Sequence, residues 1–361
     1  MRAHCREHGS LLLLARLLTR NSTLRVELIA PDHGHTDTND KIRAVRSSRT
    51  LNNVPERVRS SADAGPADDD RDKRAMAFIT SKARPAYHRA LLQRLLGRRQ
   101  NAADWCKTAL ETDDFSVAHL RAHWMLAELE FPGEDYFRVL ARIHEHLKPA
   151  TYVEVGIDQG DSFEIVRPET LAVGVDPSPR IKKTLGPNHR VFAQTSDDFF
   201  EQHDVISELG GKTVDLAFID GLHLYEFALR DFFNLEKLCS PDSIILIHDV
   251  YPIDARCAAR ERASWFWSGD IWRLILTLKK YRPDLSVNVI AARPTGLAIV
   301  QNLDPQSRVL EESQHEIIDE FLATDISVLD ERKAETLNRF PNDWGAISRL
   351  IDTRGRVRNS V

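Results

Sequence analysis

Cysteine is scarce in this 361-residue chain: Cys5, Cys106, Cys239 and Cys257 are widely separated and form no CxxC pair. Neither a zinc knuckle nor a disulfide framework is expected, and a cytoplasmic location suits such a sequence. Long hydrophobic runs are also missing, since nothing approaches the roughly 18 apolar residues of a membrane-spanning helix. The leucines at 11–14 are followed by Arg16 and Arg20 and by no small-residue cleavage site, which argues against a secretory signal. No internal period marks a repeat array. A large charge imbalance is absent too: the formal net charge is -5. Neither nucleic acid nor a membrane surface is therefore an expected partner. The basic residues Arg94, Arg98 and Arg99 read as a solvated helix face.

What is present changes character along the chain. Residues 31–74 are rich in Asp, Arg, Ser, Asn and Pro and poor in large apolar side chains, so they cannot bury enough surface to offset the entropy of ordering. We expect residues 1–75 to be a flexible leader and 76–134 a helical segment. A core domain is expected over 135–302 and a charged, helical tail docked on its outside over 303–361. In DYFRVLARIHEHLKP, Tyr136, Val139, Leu140 and Ile143 share one helical face. Beyond residue 150, YVEVG, LAVGVD, RVFAQT, VDLAFID and SIILIHD are short apolar runs separated by helical segments. They predict an α/β, Rossmann-like, doubly wound sheet with helices on both faces. SVNVIAA and GLAIVQN flank turn residues at 293–296 and predict a terminal antiparallel hairpin.

Residues 151–163 read TYVEVGIDQGDSF, and VGVD follows, closing on Asp176. In a doubly wound sheet, ligands bind beyond the carboxyl ends of the strands. Gly156 ends the first expected strand and permits a tight turn, while Gly160 is expected to let a ligand approach the backbone where the next helix begins. Asp176 ends the second strand, where a carboxylate can accept hydrogen bonds from both ribose hydroxyls. The spacing Gly156-x-x-x-Gly160 is not GxGxxG, and Asp158 and Asp161 would repel a pyrophosphate, so a nicotinamide cofactor is disfavoured. Glu154 instead suits a cationic ligand such as a sulfonium with an amino-acid tail.

At these residues the sequence resembles the class I S-adenosylmethionine-dependent methyltransferases, in the branch called methyltransferase-24. VEVGIDQGDSF is similar to their first motif and VGVDPS to their second; QTSDDFF, FIDGLHLYEFALRDF and IILIHDVYP are similar to the later ones. The resemblance implies that Glu154, Gly156 and Gly160 surround the methionine part of S-adenosylmethionine, that Asp176 holds the ribose, and that Ser196 and Asp197 lie beside the adenine. It implies a methyltransferase, with O-methylation of a small-molecule or sugar hydroxyl the expected activity. A nicotinamide-dependent oxidoreductase and a non-catalytic binding module of the same fold are the alternatives.

Methyl transfer from a sulfonium is an in-line displacement, and a hydroxyl acceptor must also lose its proton. His223, three residues after Asp220, is a candidate base. Asp220 and Asp249, ending neighbouring strands, are candidate ligands for Mg²⁺, which keeps several waters and needs only one or two protein carboxylates. In related metal-using enzymes a further acidic or amide residue is expected where this chain has His248 or Val250. Asp220 also fits a helix cap, and His248 also fits a half-buried structural role. Tyr225, Phe227, Phe232 and Phe233 read as core. Trp265, Trp267 and Trp272 fit either an acceptor pocket or the core.

Overall fold

The structure, a computed structural model, describes residues 81–112, 115–182 and 184–353. The expected leader, with Cys5, lies outside them. Counting helices of seven residues or more, the chain begins with α1 (Arg84–Leu95), α2 (Arg99–Leu110) and α3 (Val117–Glu130). Then come α4 (Tyr136–Leu147), β1 (Thr151–Val155), β2 (Leu171–Val175), β3 (His189–Phe192) and α5 (Ser196–Gln202). They are followed by β4 (Val214–Ile219), α6 (Tyr225–Leu238), β5 (Cys239–His248) and α7 (Trp272–Tyr281). The hairpin strands β6 (Ser286–Ile290) and β7 (Leu297–Gln301) precede α8 (Gln314–Leu322), β8 (Arg339–Phe340) and α9 (Trp344–Ile351).

The strands form one sheet in the order β3-β2-β1-β4-β5-β7-β6-β8. The pairs from β3 to β5 are parallel, and β7 runs antiparallel to both β5 and β6. This is the class I methyltransferase fold, with strand order reversing between β1 and β4. Alternation within the strands supplies both cores: Leu216 and Phe218 of β4 point to one face, Ala217 and Ile219 to the other.

Local sequence explains the helices that frame the sheet. Asp135 caps α4 by accepting from the Arg138 N–H at 2.9 Å, and the helix stops at Lys148, in the left-handed region (φ 47°), just before Pro149. Its Val139, Leu140 and Ile143 are buried against the sheet, each contributing on the order of 1.5–3 kcal/mol relative to exposure. Truncating Ile143 to Ala would cost about 2–5 kcal/mol.

Two features differ from the sequence-based picture. The link from β1 to β2 carries only one short 3₁₀ turn, Phe163–Ile165; Gly156, Asp158 and Gly160 in the left-handed region and Pro168 interrupt its fifteen residues. The tail does more than dock outside: Arg339 and Phe340 pair with β6, and Ile347 and Ile351 of α9 join Val139, Leu140 and Ile143 in one core cluster.

Candidate active site

A cavity of about 640 Å³ opens at the carboxyl ends of β1, β2, β4 and β5, at the reversal of strand order. Its β1–β2 side includes Gly156, Asp158, Asp161 and Asp176. Gly156 has φ 89°, and a Cβ there would lie 2.0 Å from the Asp220 carbonyl oxygen. Glycine is thus demanded by the close seam between the β1 and β4 ends as well as by the turn.

Asp176 lines the cavity as expected. Its Oδ2 accepts from the backbone N–H groups of Ile157 (3.0 Å) and Asp158 (2.9 Å), and Oδ1 accepts from that of Ser178 (2.7 Å). One carboxylate therefore pins the β1 loop, while Oδ1 keeps acceptor capacity for a ligand hydroxyl. Ser196 and Asp197 also line the cavity, and Asp197 is held by two parallel 2.8 Å bonds from Arg230.

Two of the expected cofactor residues stand outside the cavity lining. Glu154 is fully buried and lies outside the lining of the cavity. Its oxygens accept from Tyr152 Oη (2.7 Å) and from Ser162 Oγ, and burial raises its carboxyl to about 8. It supports the floor rather than meeting a cation directly. Gly160, with φ 85°, also lies behind the cavity wall, where a Cβ would touch Ile181 at 3.4 Å. Its glycine answers the left-handed turn.

At the other side, Asp220, His223 and Asp249 come together as expected, with one donor atom of each within 4.8 Å of the others. His223 Nδ1 lies 3.0 Å from Asp249 Oδ2, and its Nε2 3.6 Å from Asp220 Oδ1. His248 Nδ1 is 3.0 Å from Asp220 Oδ1. Burial alone would depress the His223 imidazole, but Asp249 and Asp220 outweigh it and raise it to about 9. The Asp220 carboxyl is opposed by burial yet held well below the usual range by His248 and His223. His223 (φ 61°) and Asp249 (φ 62°) both occupy the left-handed region, a backbone cost for non-glycine residues that concentrates at functional sites.

Asp220 does not cap α6. The N–H of Tyr225 donates instead to Asp270 Oδ1 at 2.8 Å. Trp265 and Trp267 line the cavity, whereas Trp272 is fully buried core. Phe227 lines it too, while Tyr225, Phe232 and Phe233 are core as expected.

Sequence reasoning missed several lining residues. Leu120 and Trp124 come from α3, and Tyr136, read as a core position, stacks on His248 at 3.9 Å between ring centroids. Thr295, from the hairpin turn, donates from Oγ1 to Asp249 Oδ1. Asp231 is 3 % exposed on the apolar side of α6, and burial, with Asp197 nearby, raises its carboxyl to about 7. Its signal was there: an acid set among Ala228, Leu229, Phe232 and Phe233.

The strand order, with a cavity at its reversal, is the class I methyltransferase architecture. Residues 133–250, about a third of the chain, match the sequence model of a family described as a methyltransferase domain, and they are such a domain here. No curated protein matches the chain. Similar solved structures include cofactor-bound Rv0187 from MTB, at 17% identity over 56% of this chain and 96% of that one, TM-score 0.37. An O-methyltransferase from Bacillus cereus in complex with SAH is 16% identical over 50% and 87%, TM-score 0.35. The O-methyltransferase TomG from Streptomyces achromogenes in complex with SAM is 12% identical over 57% and 90%, TM-score 0.37. No described helix is long and apolar enough to cross a membrane.

Proposed function

We propose that the protein transfers the methyl group of S-adenosylmethionine to a hydroxyl of a small molecule or sugar. The observation that carries this reading is one cavity that joins a ribose-type carboxylate, Asp176, to a carboxylate–imidazole cluster beneath aromatic walls. In the reaction the acceptor oxygen attacks the methyl carbon, the sulfur–carbon bond breaks, and the acceptor's proton must leave. Holding oxygen and carbon in line in a dry site supplies much of the rate. Leu120, Trp124, Tyr136 and Trp265 give that site apolar walls.

The cluster fits a divalent cation. Asp249 Oδ2 is buried and makes no hydrogen bond, although it faces His223 Nδ1 at 3.0 Å, and Asp220 and His223 offer further ligand atoms beside it. Carboxylates suit Mg²⁺, whereas imidazole is a donor type more common for transition metals. When bound there, a cation would lower the pKa of an acceptor hydroxyl. Without one, His223 is charged at neutral pH and accepts a proton only after losing its own.

Calorimetry with S-adenosylmethionine, S-adenosylhomocysteine and NADH tests the cofactor, and a mass-spectrometric screen of hydroxyl acceptors tests transfer. Binding of NADH alone would favour an oxidoreductase. Cofactor binding without transfer to any acceptor would favour a non-catalytic binding module.

A further inference from the structure

We propose that α1 and the turn into α2 form a surface that docks on anionic lipid. The apolar residues of α1 are placed the reverse way from those of an ordinary core-packed helix, which turns its largest ones inward. Ala83, at the cap, Ala86 and Ala90 are buried, whereas Leu92, Leu95 and Leu96 are 48, 57 and 55 % exposed. At 3.6 residues per turn the three leucines share one stripe, with His88 and Arg89 on the same stripe a turn earlier. The other exposed large apolar side chains among the described residues are accounted for or isolated. Trp124 and Leu222 line the cavity, Phe115 packs edge-on against Trp265 at 5.3 Å, and Val309 and Val328 stand singly.

Charge is equally one-sided there. Residues 82–103 carry Lys82, Arg84, Arg89, Arg94, Arg98 and Arg99 and no acid, an excess that the chain's net charge of -5 conceals. Gly97, with φ 72°, turns the chain between the helices and sets Leu95 and Leu96 beside Arg98 and Arg99. Acids do approach from α3: Glu128 pairs with Arg94 at 2.5 Å and Glu130 with Lys107 at 2.9 Å. Exposed pairs of this kind are weak, and Arg94 stays 46 % exposed within its pair, so its guanidinium remains in reach of another anion. An exposed leucine stripe flanked by cations fits the boundary of a negatively charged bilayer, where leucines enter the acyl edge and arginines meet the headgroups. A second copy fits less well, because a symmetric contact would set the same cations against each other. Nucleic acid would satisfy the arginines and leave the leucines in water.

The test is co-sedimentation of the full chain with vesicles of phosphatidylcholine, alone or mixed with phosphatidylserine, at low and high salt. The wild type should bind the mixed vesicles and not the neutral ones, and salt should weaken the binding. Replacing Arg98 and Arg99 together by Ser should weaken it about 25-fold at low salt, from about 5-fold per cation. Replacing Leu95 and Leu96 together by Ser should weaken it about 10-fold or more at either salt. These side chains are exposed, and circular dichroism checks that both variants keep the fold. Absence of binding to the mixed vesicles, equal binding to the neutral ones, or binding that neither variant weakens would overturn the proposal. Self-association that the leucine variant abolishes, with no vesicle binding, would overturn it in favour of a second copy on this face.

Discussion

The cavity side built from residues 155–162 and Asp176 comes from one short stretch of sequence, and its polar groups are tied to one another: Asp176 holds the β1 loop through two backbone bonds and its own loop through a third, from Ser178. The opposite side is assembled from α3, α4, the ends of β4 and β5, residues 265–267 and the hairpin turn. There, His223 and Asp249 sit in the left-handed region, as Asp158 alone of the non-glycine residues does on the first side, and Asp249 Oδ2 faces His223 Nδ1 at 3.0 Å without a hydrogen bond. The first side is preorganised by local structure. The second is held in place by tertiary packing and carries polar capacity that the fold itself does not use, as expected where chemistry rather than binding is demanded.

The largest expected effect separates these sides by turnover. Asp249→Ala should lower methyl transfer about 10²–10⁴-fold, the range for losing a proton-handling group, with S-adenosylhomocysteine affinity nearly unchanged. Chelator should match that loss if a cation is held there, and rate assays with and without chelator, beside calorimetry, check both. A variant that keeps full turnover would remove the cluster from the reaction.

Asp176→Ala should act in the opposite sense, weakening both S-adenosylmethionine and S-adenosylhomocysteine about 10-fold to 100-fold. At saturating cofactor its turnover should recover. Unchanged affinity by calorimetry would take Asp176 out of the site.

Trp124→Ala sharpens the comparison at the rim, where Trp124 packs edge-on against Phe266 at 5.5 Å. We expect KM for the acceptor to rise about 3-fold to 10-fold, the worth of one aromatic contact, with cofactor affinity intact. A change confined to cofactor binding would place α3 on the other side of the cavity.

A further effect, on stability rather than on turnover, concerns Glu154 beneath the floor, whose carboxyl rises from 4.5 to about 8. A carboxyl raised on folding contributes stability that is fully present below its unfolded pKa and lost as pH rises through the folded value. Between about pH 4.5 and 8 the wild type should therefore lose stability relative to Glu154→Gln, by at most about 1.4 kcal/mol per pH unit. Urea unfolding at pH 5.5 and 8.5 measures it, and a pH-independent difference would mean that Glu154 is ionised in the folded protein.

Much of the domain was legible in sequence because its signals are local. Apolar runs of strand length gave β1, β2, β3, β4, β5 and the hairpin, and strand-end residues gave Gly156, Asp176, Asp220 and Asp249, since a parallel sheet brings those ends to one rim. That Glu154 faces the layer beneath the cavity was not legible, because sequence reports which residues lie near a strand's end but not which way a side chain points. Tyr136 and Asp231 were missed for a related reason: helical periodicity marks a buried face without saying whether core or ligand covers it.

By itself, then, the sequence determined the sheet, its parallel character and the positions of the carboxylates, because hydrophobic period and glycine placement act within a few residues of chain. Tertiary structure alone decided that His248 meets Asp220 and stacks on Tyr136, that Trp124 reaches the cavity from α3, and that β8 and α9 complete the sheet edge and one core. Those contacts join residues far apart in the chain. Only burial of the assembled layers, not any local preference, brings them together.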